Sequence, residues 1–348
     1  MSNTTADPGP RSPGNEETAA AVLQVDPELD KPGTAEAKAI VGRSPGQLAW
    51  LRLKRDRTAF VSAIILLVAM VFGLSAPLVQ KITGISPTQQ FTDQLTTFGA
   101  IPIGYLGGIS GTHPLGLEPA LGRDILMQLV YGLRTSLFIA FAAALLSTVI
   151  GVLIGVIGGY ARGWLDSVIS WFIDLVLAFP FLIFALAAIP VVENRFFSAR
   201  DNIPASFRVG MIIATFAIFN WTNTARLVRG QVISLREREF VEAARASGAG
   251  TWHILLRQLL PNIWAPILVT VSLNVPAFIT AEAALAFIGI GVTEPTPDLG
   301  RMIYNSIAFV SSDPMYTFVP GVTIFLLVLA FNLFGDALRD ALDPKSSR

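Results

Sequence analysis

The segment SLFIAFAAALLSTVIGVLIGVIGG, residues 136–159, decides the fold of this chain. It carries no charged residue, and it exceeds the roughly 20 residues that a helix needs to cross the hydrocarbon core of a bilayer. Gly151, Gly155 and Gly159 recur every four residues, a spacing that lets two helix backbones approach closely. The segment predicts a membrane-spanning helix whose glycine face packs within its own bundle or against another subunit.

Further apolar segments of similar length predict six membrane spans in all. The six lie at about 59–79, 136–159, 167–192, 209–225, 263–291 and 318–335. Of the 348 residues, 52% are hydrophobic and only 14% are charged, and the mean hydropathy is +0.58. This composition is too apolar for an ordinary soluble enzyme. The predicted fold class is an all-α polytopic membrane protein.

The placement of Lys and Arg predicts the orientation of the chain. Six is an even number of spans, so both termini lie on one side of the membrane. Close to the spans, fourteen basic residues fall on the side of the termini and seven on the opposite side. Because basic residues favour the cytoplasmic side, both termini are predicted to be cytoplasmic.

The region before the first span divides into two predicted parts. Residues 1–45 are rich in Pro, Gly, Ala, Glu, Ser and Thr, which predicts a disordered cytoplasmic tail. Residues 46–58 interleave Trp50 and Leu51 with basic side chains. They predict either a basic amphipathic segment in the lipid headgroup layer or a solvated basic turn. The predicted membrane domain then runs over 59–345.

Composition excludes several kinds of chemistry. The absence of cysteine removes disulfides, thiolate nucleophiles and Cys-type metal sites, and the two histidines, His113 and His253, are too far apart in the sequence for a metal-binding motif. His113, in a loop, is expected to be a surface histidine. No Lys follows a Gly, as a nucleotide-binding P-loop requires, so any ATP must be bound by another chain. With 25 basic and 25 acidic residues, nothing points to nucleic acid.

The loop between the fourth and fifth spans is the most informative region. It reads REREFVEAARASGAGTWHILLRQLLPN over residues 236–262. A helix through Ser247 is predicted to end at Gly248, which adopts positive φ without strain. A second helix begins near Thr251 as its N-cap, and ends or kinks near Pro261. The pair is predicted either to dock in a groove of another protein or to lie flat on the bilayer.

This loop resembles a known family. The residues that carry the likeness are Glu242, Ala243, Ala244, Gly248, Leu260 and Pro261. They look like the EAA loop of permease subunits in bacterial ABC importers. In that family the loop forms a coupling helix that sits in a cleft of a cytoplasmic ATPase.

Other stretches resemble one branch of this family, the C-type permeases of dipeptide and oligopeptide importers. They are residues 158–180, 259–269, 281–303 and 328–344. One segment departs from the pattern, because the family commonly has HPLGTDxxGRD where residues 113–124 read HPLGLEPALGRD.

The resemblance implies a type I ABC importer permease fold, with the coupling helix between spans four and five, in the bacterial inner membrane. It implies that the chain forms half of a translocation pore and is no enzyme itself. The implied partners are a B-type permease, two cytoplasmic P-loop ATPase subunits that bind Mg-ATP, and an extracytoplasmic substrate-binding protein. It also implies that His253 packs in the coupling loop or contacts the ATPase. The cargo stays open between dipeptides, oligopeptides, haem and metal chelates.

Polar residues inside the spans are candidates for the translocation path. Asp174 and Glu282 are carboxylates within predicted spans, where charges are costly unless they face a cavity or a partner. They predict a pore-lining or structural role, or else the proton relay of a self-contained secondary transporter or channel. Asn220 and Asn274 line the path or form hydrogen bonds between helices. An intramembrane hydrolase is disfavoured, since neither histidine lies within a span.

Prolines predict which spans line the pore. Pro180 and Pro190 interrupt the third span, and Pro266 and Pro276 interrupt the fifth. Broken helices are tolerated at membrane depth where they line a cavity or are covered by protein. These two spans are therefore the pore candidates.

Overall fold

The computed structural model describes residues 45–198 and 200–343, and this part of the chain is helical. The predicted tail over 1–45 lies outside these residues except for Pro45. The helices are α1 Pro45–Arg55, α2 Arg57–Leu74, α3 Ala76–Thr83, α4 Ile125–Tyr160, α5 Trp164–Leu177, α6 Phe181–Phe196, α7 Ala205–Leu235, α8 Glu239–Ala246, α9 Thr251–Phe287, α10 Leu299–Ser306 and α11 Pro314–Leu342. Within the described residues, β structure is limited to three isolated bridges.

Six spans can be assigned to these helices. Five of them, α2, α4, α7, α9 and α11, are individually long and apolar enough to cross a membrane. The sixth span is the pair α5 and α6, which bends by 82° at its break. The predicted all-α polytopic fold, with a short helix between the fourth and fifth spans, is confirmed.

The third and fourth spans differ in shape from the predicted segments. Pro180 ends the straight run of the third span, because it lacks the N–H that would continue the helix. In the fourth span, α7 continues well beyond the predicted end at residue 225. Its added turns carry Arg226 and Arg229, which bond Asp174 and Asp166 of α5, each with an N–O distance of 2.7 Å. These charges are accommodated because each has a carboxylate partner.

The fifth span tolerates its prolines. Helix α9 neither ends nor breaks at Pro261. A π-helical segment at Ile254–Leu259 lies within the helix, just before this proline. This wider turn changes the hydrogen-bond register where the proline provides no donor. Pro266 and Pro276 lie inside the helix. The N-cap of α9 is Gly250, one residue before the predicted Thr251.

The glycine face of α4 packs against α7 of the same chain. A Cβ added at Gly151 would lie 2.6 Å from the Thr224 side chain, and one at Gly159 would lie 2.7 Å from that of Val232. Such separations are too short for real contacts, so only glycine permits this approach. The glycine face was expected to pack either within its own bundle or against another subunit, and in the structure it packs within the bundle.

A cap, made of residues 84–124 and 288–313, covers the end of the bundle where α4 begins. Its centre is Arg123, which is 5% exposed and bonds the carboxylates of Glu118 and Glu294. Burial alone would lower the pKa of Arg123, but the two glutamates raise it above its ordinary value. Glu118 belongs to the segment that departs from the family pattern, and it also accepts a bond from the Tyr316 hydroxyl at 2.7 Å.

The expectation that His113 is a surface histidine is wrong. Its side chain is buried in the cap, with Nδ1 2.7 Å from a carboxylate oxygen of Asp124. The ring of Phe91 covers it edge to face, at a centroid distance of 4.6 Å. Loop residues that are remote from His113 in the sequence enclose it, which its local sequence could not indicate.

Candidate functional site

Helix α8 lies at the end of the bundle opposite the cap, and one face of it is seated on the chain's own helices. Val241 is fully buried, and Ala244 packs beside it. The buried residues around them are Val156, Val228, Val232, Ile254, Leu255, Leu259 and Ile263. An isolated helix of eight residues is marginal in water, so this apolar seat holds α8 in place.

The turn after α8 is a Schellman motif. Gly248 has φ +81°, and its N–H donates to the carbonyl of Arg245 at 2.9 Å. The N–H of Ala249 donates to the carbonyl of Ala244 at 3.0 Å. These are the 5→2 and 6→1 bonds of the motif, which needs a left-handed residue after the helix. The predicted role of Gly248 as the helix-ending glycine is geometrically satisfied.

Polar contacts tie the same loop to the end of α4. Arg236 donates from Nη1 to the carbonyls of Gly159 and Ala161, at 2.9 and 3.0 Å. The guanidinium of Arg245 lies over the ring of Tyr160, 5.3 Å from its centroid. Arg236, just before α8, and Arg245, on α8, therefore both contact the end of α4.

The predicted coupling residues divide between two faces. Ala244 and Leu260 pack against the buried seat, whereas Pro261 is exposed. The predicted Glu242, Ala243 and His253 face outward, as do their neighbours Phe240 and Trp252, and all five are exposed. We name these five residues the coupling surface.

Two large apolar side chains stand out on the coupling surface. Phe240 is 38% exposed and Trp252 is 65% exposed. Exposed aromatic residues of this size are typical of protein interfaces. Sequence reasoning did not select Trp252, although an aromatic residue directly after the Gly248–Gly250 turn was a usable signal.

The four polar residues predicted for the path are not gathered at one point. Asp174 is exposed and paired with Arg226, whereas Glu282 is buried and accepts a bond from Ser136 Oγ at 3.2 Å. Asn274 is half-buried, and its Nδ2 has no hydrogen-bond partner among the described residues. The two carboxylates therefore bond different helices, Asp174 through Arg226 of α7 and Glu282 through Ser136 of α4.

Asn220, by contrast, lines a cavity of about 250 Å³ at the break of the third span. The cavity lies between the α5–α6 break, the middle of α7 and the end of α9. Its lining residues are Val176, Leu177, Phe179, Phe181, Phe216, Phe219, Asn220, Asn223, Ala277, Phe278 and Ala281. Sequence reasoning missed Asn223, although it follows Asn220 at the three-residue spacing that places two side chains on one helix face.

A comparison with family models accounts for this arrangement. The model described as "Binding-protein-dependent transport system inner membrane component" matches residues 151–348, more than half of the chain. The chain belongs to this family. A second model, the "N-terminal TM domain of oligopeptide transport permease C", matches residues 44–96, which include α1 and α2.

Curated relatives cover most of the permease. It is 36% identical over 302 residues to a dipeptide transport system permease protein of Alkalihalophilus pseudofirmus. The matched residues make up 87% of this chain and 90% of the relative. It is 34% identical to that of Haemophilus influenzae, over 87% of this chain and 96% of the relative. An oligopeptide transport system permease protein of Mycobacterium bovis is 36% identical, over 67% of this chain and 76% of the relative.

A solved structure shares the fold of the permease. One chain of the methionine ABC transporter MetNI, in inward-facing conformations, matches with a TM-score of 0.50 and 20% identity. The match covers 63% of this chain and 98% of that chain. The protein is thus a multi-pass permease subunit of an ABC importer in the inner membrane, and it is not an enzyme. A self-contained proton-coupled transporter is not favoured.

Proposed function

We propose that this permease subunit forms half of the translocation pore of an importer for dipeptides or oligopeptides. The names of its relatives support this cargo, since those matched over 87% of the chain are dipeptide permeases. The other half of the pore is a B-type permease, and an extracytoplasmic binding protein delivers the peptide. Two P-loop ATPase subunits bind Mg-ATP, and this chain itself binds no cofactor.

The proposed orientation places α8 and both termini in the cytoplasm. The bias of Lys and Arg toward that side supports it. In this orientation, α1 lies in the headgroup layer of the cytoplasmic leaflet. Trp50 is 58% exposed there, with Lys54 5.1 Å from the centroid of its ring. Such a pairing of an aromatic ring with a basic tip suits the membrane interface.

The observation that carries the proposed mechanism is the division of α8 into a seated face and an exposed face. The coupling surface docks in a cleft of an ATPase subunit, where Glu242 pairs with a basic residue. Closure of the ATPase dimer on ATP draws the coupling helices together and opens the pore outward, and hydrolysis resets it. A ligand shifts a conformational equilibrium only by its different affinity for the two states, so the ATPase must contact this surface differently in each.

For the translocation path we propose Asn220 and the cavity it lines. Asp174 then forms an ion pair between helices, Glu282 accepts a hydrogen bond from another helix, and Asn274 serves in packing. Their contacts support this assignment, because Asp174 is neutralised by Arg226 and Glu282 is held by Ser136.

A substitution at Gly248 tests the coupling mechanism. The Gly248→Val variant places a β-branched residue at φ +81°, which costs about 1–2 kcal/mol and distorts the turn. The assembled transporter is expected to hydrolyse ATP while peptide uptake falls. Uptake of radiolabelled dipeptide and ATPase activity are measured together in proteoliposomes.

Gly250→Val is the matched control for this variant. Gly250 lies in the same turn and is equally exposed, but its φ is −70°, a value that valine adopts readily. The control should keep uptake coupled to hydrolysis. Normal coupled uptake by a correctly inserted Gly248→Val transporter would contradict the mechanism.

The proposed partners are tested by gentle detergent extraction of the tagged chain from its native membrane, followed by mass spectrometry. Recovery of a second six-span permease and a P-loop ATPase in fixed stoichiometry is expected. Loss of the ATPase, but not of the second permease, is expected for a Phe240→Ala, Trp252→Ala double variant. Recovery of the chain alone or as a homo-oligomer would count against the proposed assembly.

A further inference from the structure

The walls of the cavity at the break of the third span are aromatic. Phe216 stacks on Phe181 at a centroid distance of 5.5 Å and on Phe278 at 4.9 Å. Phe219 meets Phe181 edge to face at 5.8 Å. These contacts join α6, α7 and α9 into one wall. Aromatic rings packed in this way bury apolar surface with little loss of side-chain freedom.

Two asparagines provide the polar groups of the cavity. Asn223 donates from Nδ2 to Oδ1 of Asn220 at 3.3 Å. An asparagine amide has two N–H donors and a carbonyl acceptor, so this single bond leaves the pair with both donors and acceptors to offer. A peptide bond requires the same combination from its binding site.

No residue with an ionisable side chain is among the described residues that line the cavity. Of the nearest charged residues along the helices, Arg226 and Asp174 pair with each other outside the cavity. Glu282 faces away toward Ser136 of α4. A charged side chain that entered the cavity would lose water without gaining a counter-charge, which is unfavourable at membrane depth.

We propose that this cavity binds the cargo during translocation and selects for peptides with neutral, apolar side chains. Asn220 and Asn223 bond the N–H and C=O groups of the peptide, while the phenylalanine wall receives its side chains. The volume of about 250 Å³ is slightly smaller than that of typical ligand pockets, so the cavity holds part of a peptide. This inference rests on the proposed peptide transport and adds a selective step within the membrane.

The chain has no cysteine, which allows a direct test of occupancy. Ala277→Cys is introduced at a lining position that keeps both asparagines, and the labelling rate of this chain by a maleimide is followed in the complete transporter with binding protein and ATP. Ala-Phe-Ala, at a concentration that half-fills the site, is expected to slow labelling about twofold. Asn202→Cys, in an exposed loop outside the cavity, is the matched control and should label at the same rate with and without peptide. Equal rates for Ala277→Cys with and without peptide would overturn the proposal.

A second variant tests the selectivity itself. Asn220→Asp adds a negative charge to the cavity and should raise the ratio of Ala-Lys-Ala uptake to Ala-Glu-Ala uptake about tenfold. The ratio is insensitive to expression and to coupling efficiency. Asn202→Asp should leave it unchanged. An unaltered ratio in an active Asn220→Asp transporter would overturn the cavity assignment alone. Absence of any peptide uptake by the complete wild-type transporter would instead overturn the proposed function.

Discussion

The cap and the α8 end of the bundle both contain arginine–carboxylate ion pairs, but these pairs differ in their exposure to water. In the cap, Arg123 and Glu118 are 5% and 2% exposed, so their ion pair is shielded from water. At the α8 end, Arg162 and Glu237 form an ion pair with an N–O distance of 2.9 Å, but their side chains are 63% and 59% exposed. Exposed pairs add little stability, whereas breaking a buried pair is costly. The cap is therefore held by charge, and α8 is held by the apolar contacts of Val241.

This contrast fits the proposed roles of the two ends. A buried network with specific geometry favours a single arrangement, which suits a cap that closes one end of the bundle. An eight-residue helix seated by a few apolar side chains costs less to displace. Its exposed side remains available to a partner. The α8 end is thus the end of the bundle that is better suited to move.

The largest predicted effect tests the charged centre of the cap. Arg123→Met leaves the carboxylate of Glu118 buried without its cation, which should destabilise the folded protein by about 3–5 kcal/mol. Thermal melting of the purified transporter measures the loss. Arg301→Met is the control, since Arg301 also bonds Glu294 but is half-buried and leaves Arg123 in place. If the two variants have the same melting temperature, the stability of the cap does not depend on the buried ion pair of Arg123 and Glu118.

An intermediate effect is expected at the seat of α8. Val241→Ala removes two buried methyl groups, which should cost about 2 kcal/mol. Peptide uptake and melting temperature should both fall. Phe240→Ala, its exposed neighbour, should keep the melting temperature of the isolated chain but weaken capture of the ATPase. The same result for both variants would remove the distinction between the seated and exposed faces.

The smallest effect concerns pH. Burial alone would raise the pKa of Glu294, but Arg123 and Arg301 outweigh it and hold the pKa below the ordinary value of 4.5. A carboxyl with a lowered pKa in the folded state stabilises the protein above its ordinary pKa, and this contribution is lost as the pH falls through the lowered value. For this partly exposed group the loss is about 0–1 kcal/mol. Melting temperatures of the wild type and Glu294→Gln should differ at pH 7 and converge as the pH falls through the lowered pKa of Glu294. A constant difference would argue against the ion pair.

Much of the membrane bundle could be predicted because apolar length is a local property. A run such as residues 136–159 has few stable environments other than a bilayer. The end of α8 at Gly248 could be predicted equally well, because glycine itself adopts positive φ readily. The family resemblance depended on similar local patterns in the loop from Glu242 to Pro261.

Other features depended on residues that are distant in the sequence. His113 is buried because Phe91 and Asp124 enclose it. The four polar candidates in the spans looked equivalent, yet Asn220 lines the cavity, whereas Glu282 meets Ser136 on another helix. The neighbouring helices decide which side of a span faces a cavity. The residue pattern of the span itself does not indicate how these neighbours are arranged.

The sequence by itself determined the helical, membrane-spanning character of this permease and the position of its coupling loop, because hydropathy and backbone preference act within a few residues. Only the tertiary structure decided that Val241 and Ala244 are seated inward while Phe240, Glu242 and Trp252 face outward. It also brought the broken span α5–α6 and the two helices α7 and α9 together around one cavity. The physical reason is that burial depends on how the helices pack, because a side chain becomes buried only when another element covers it.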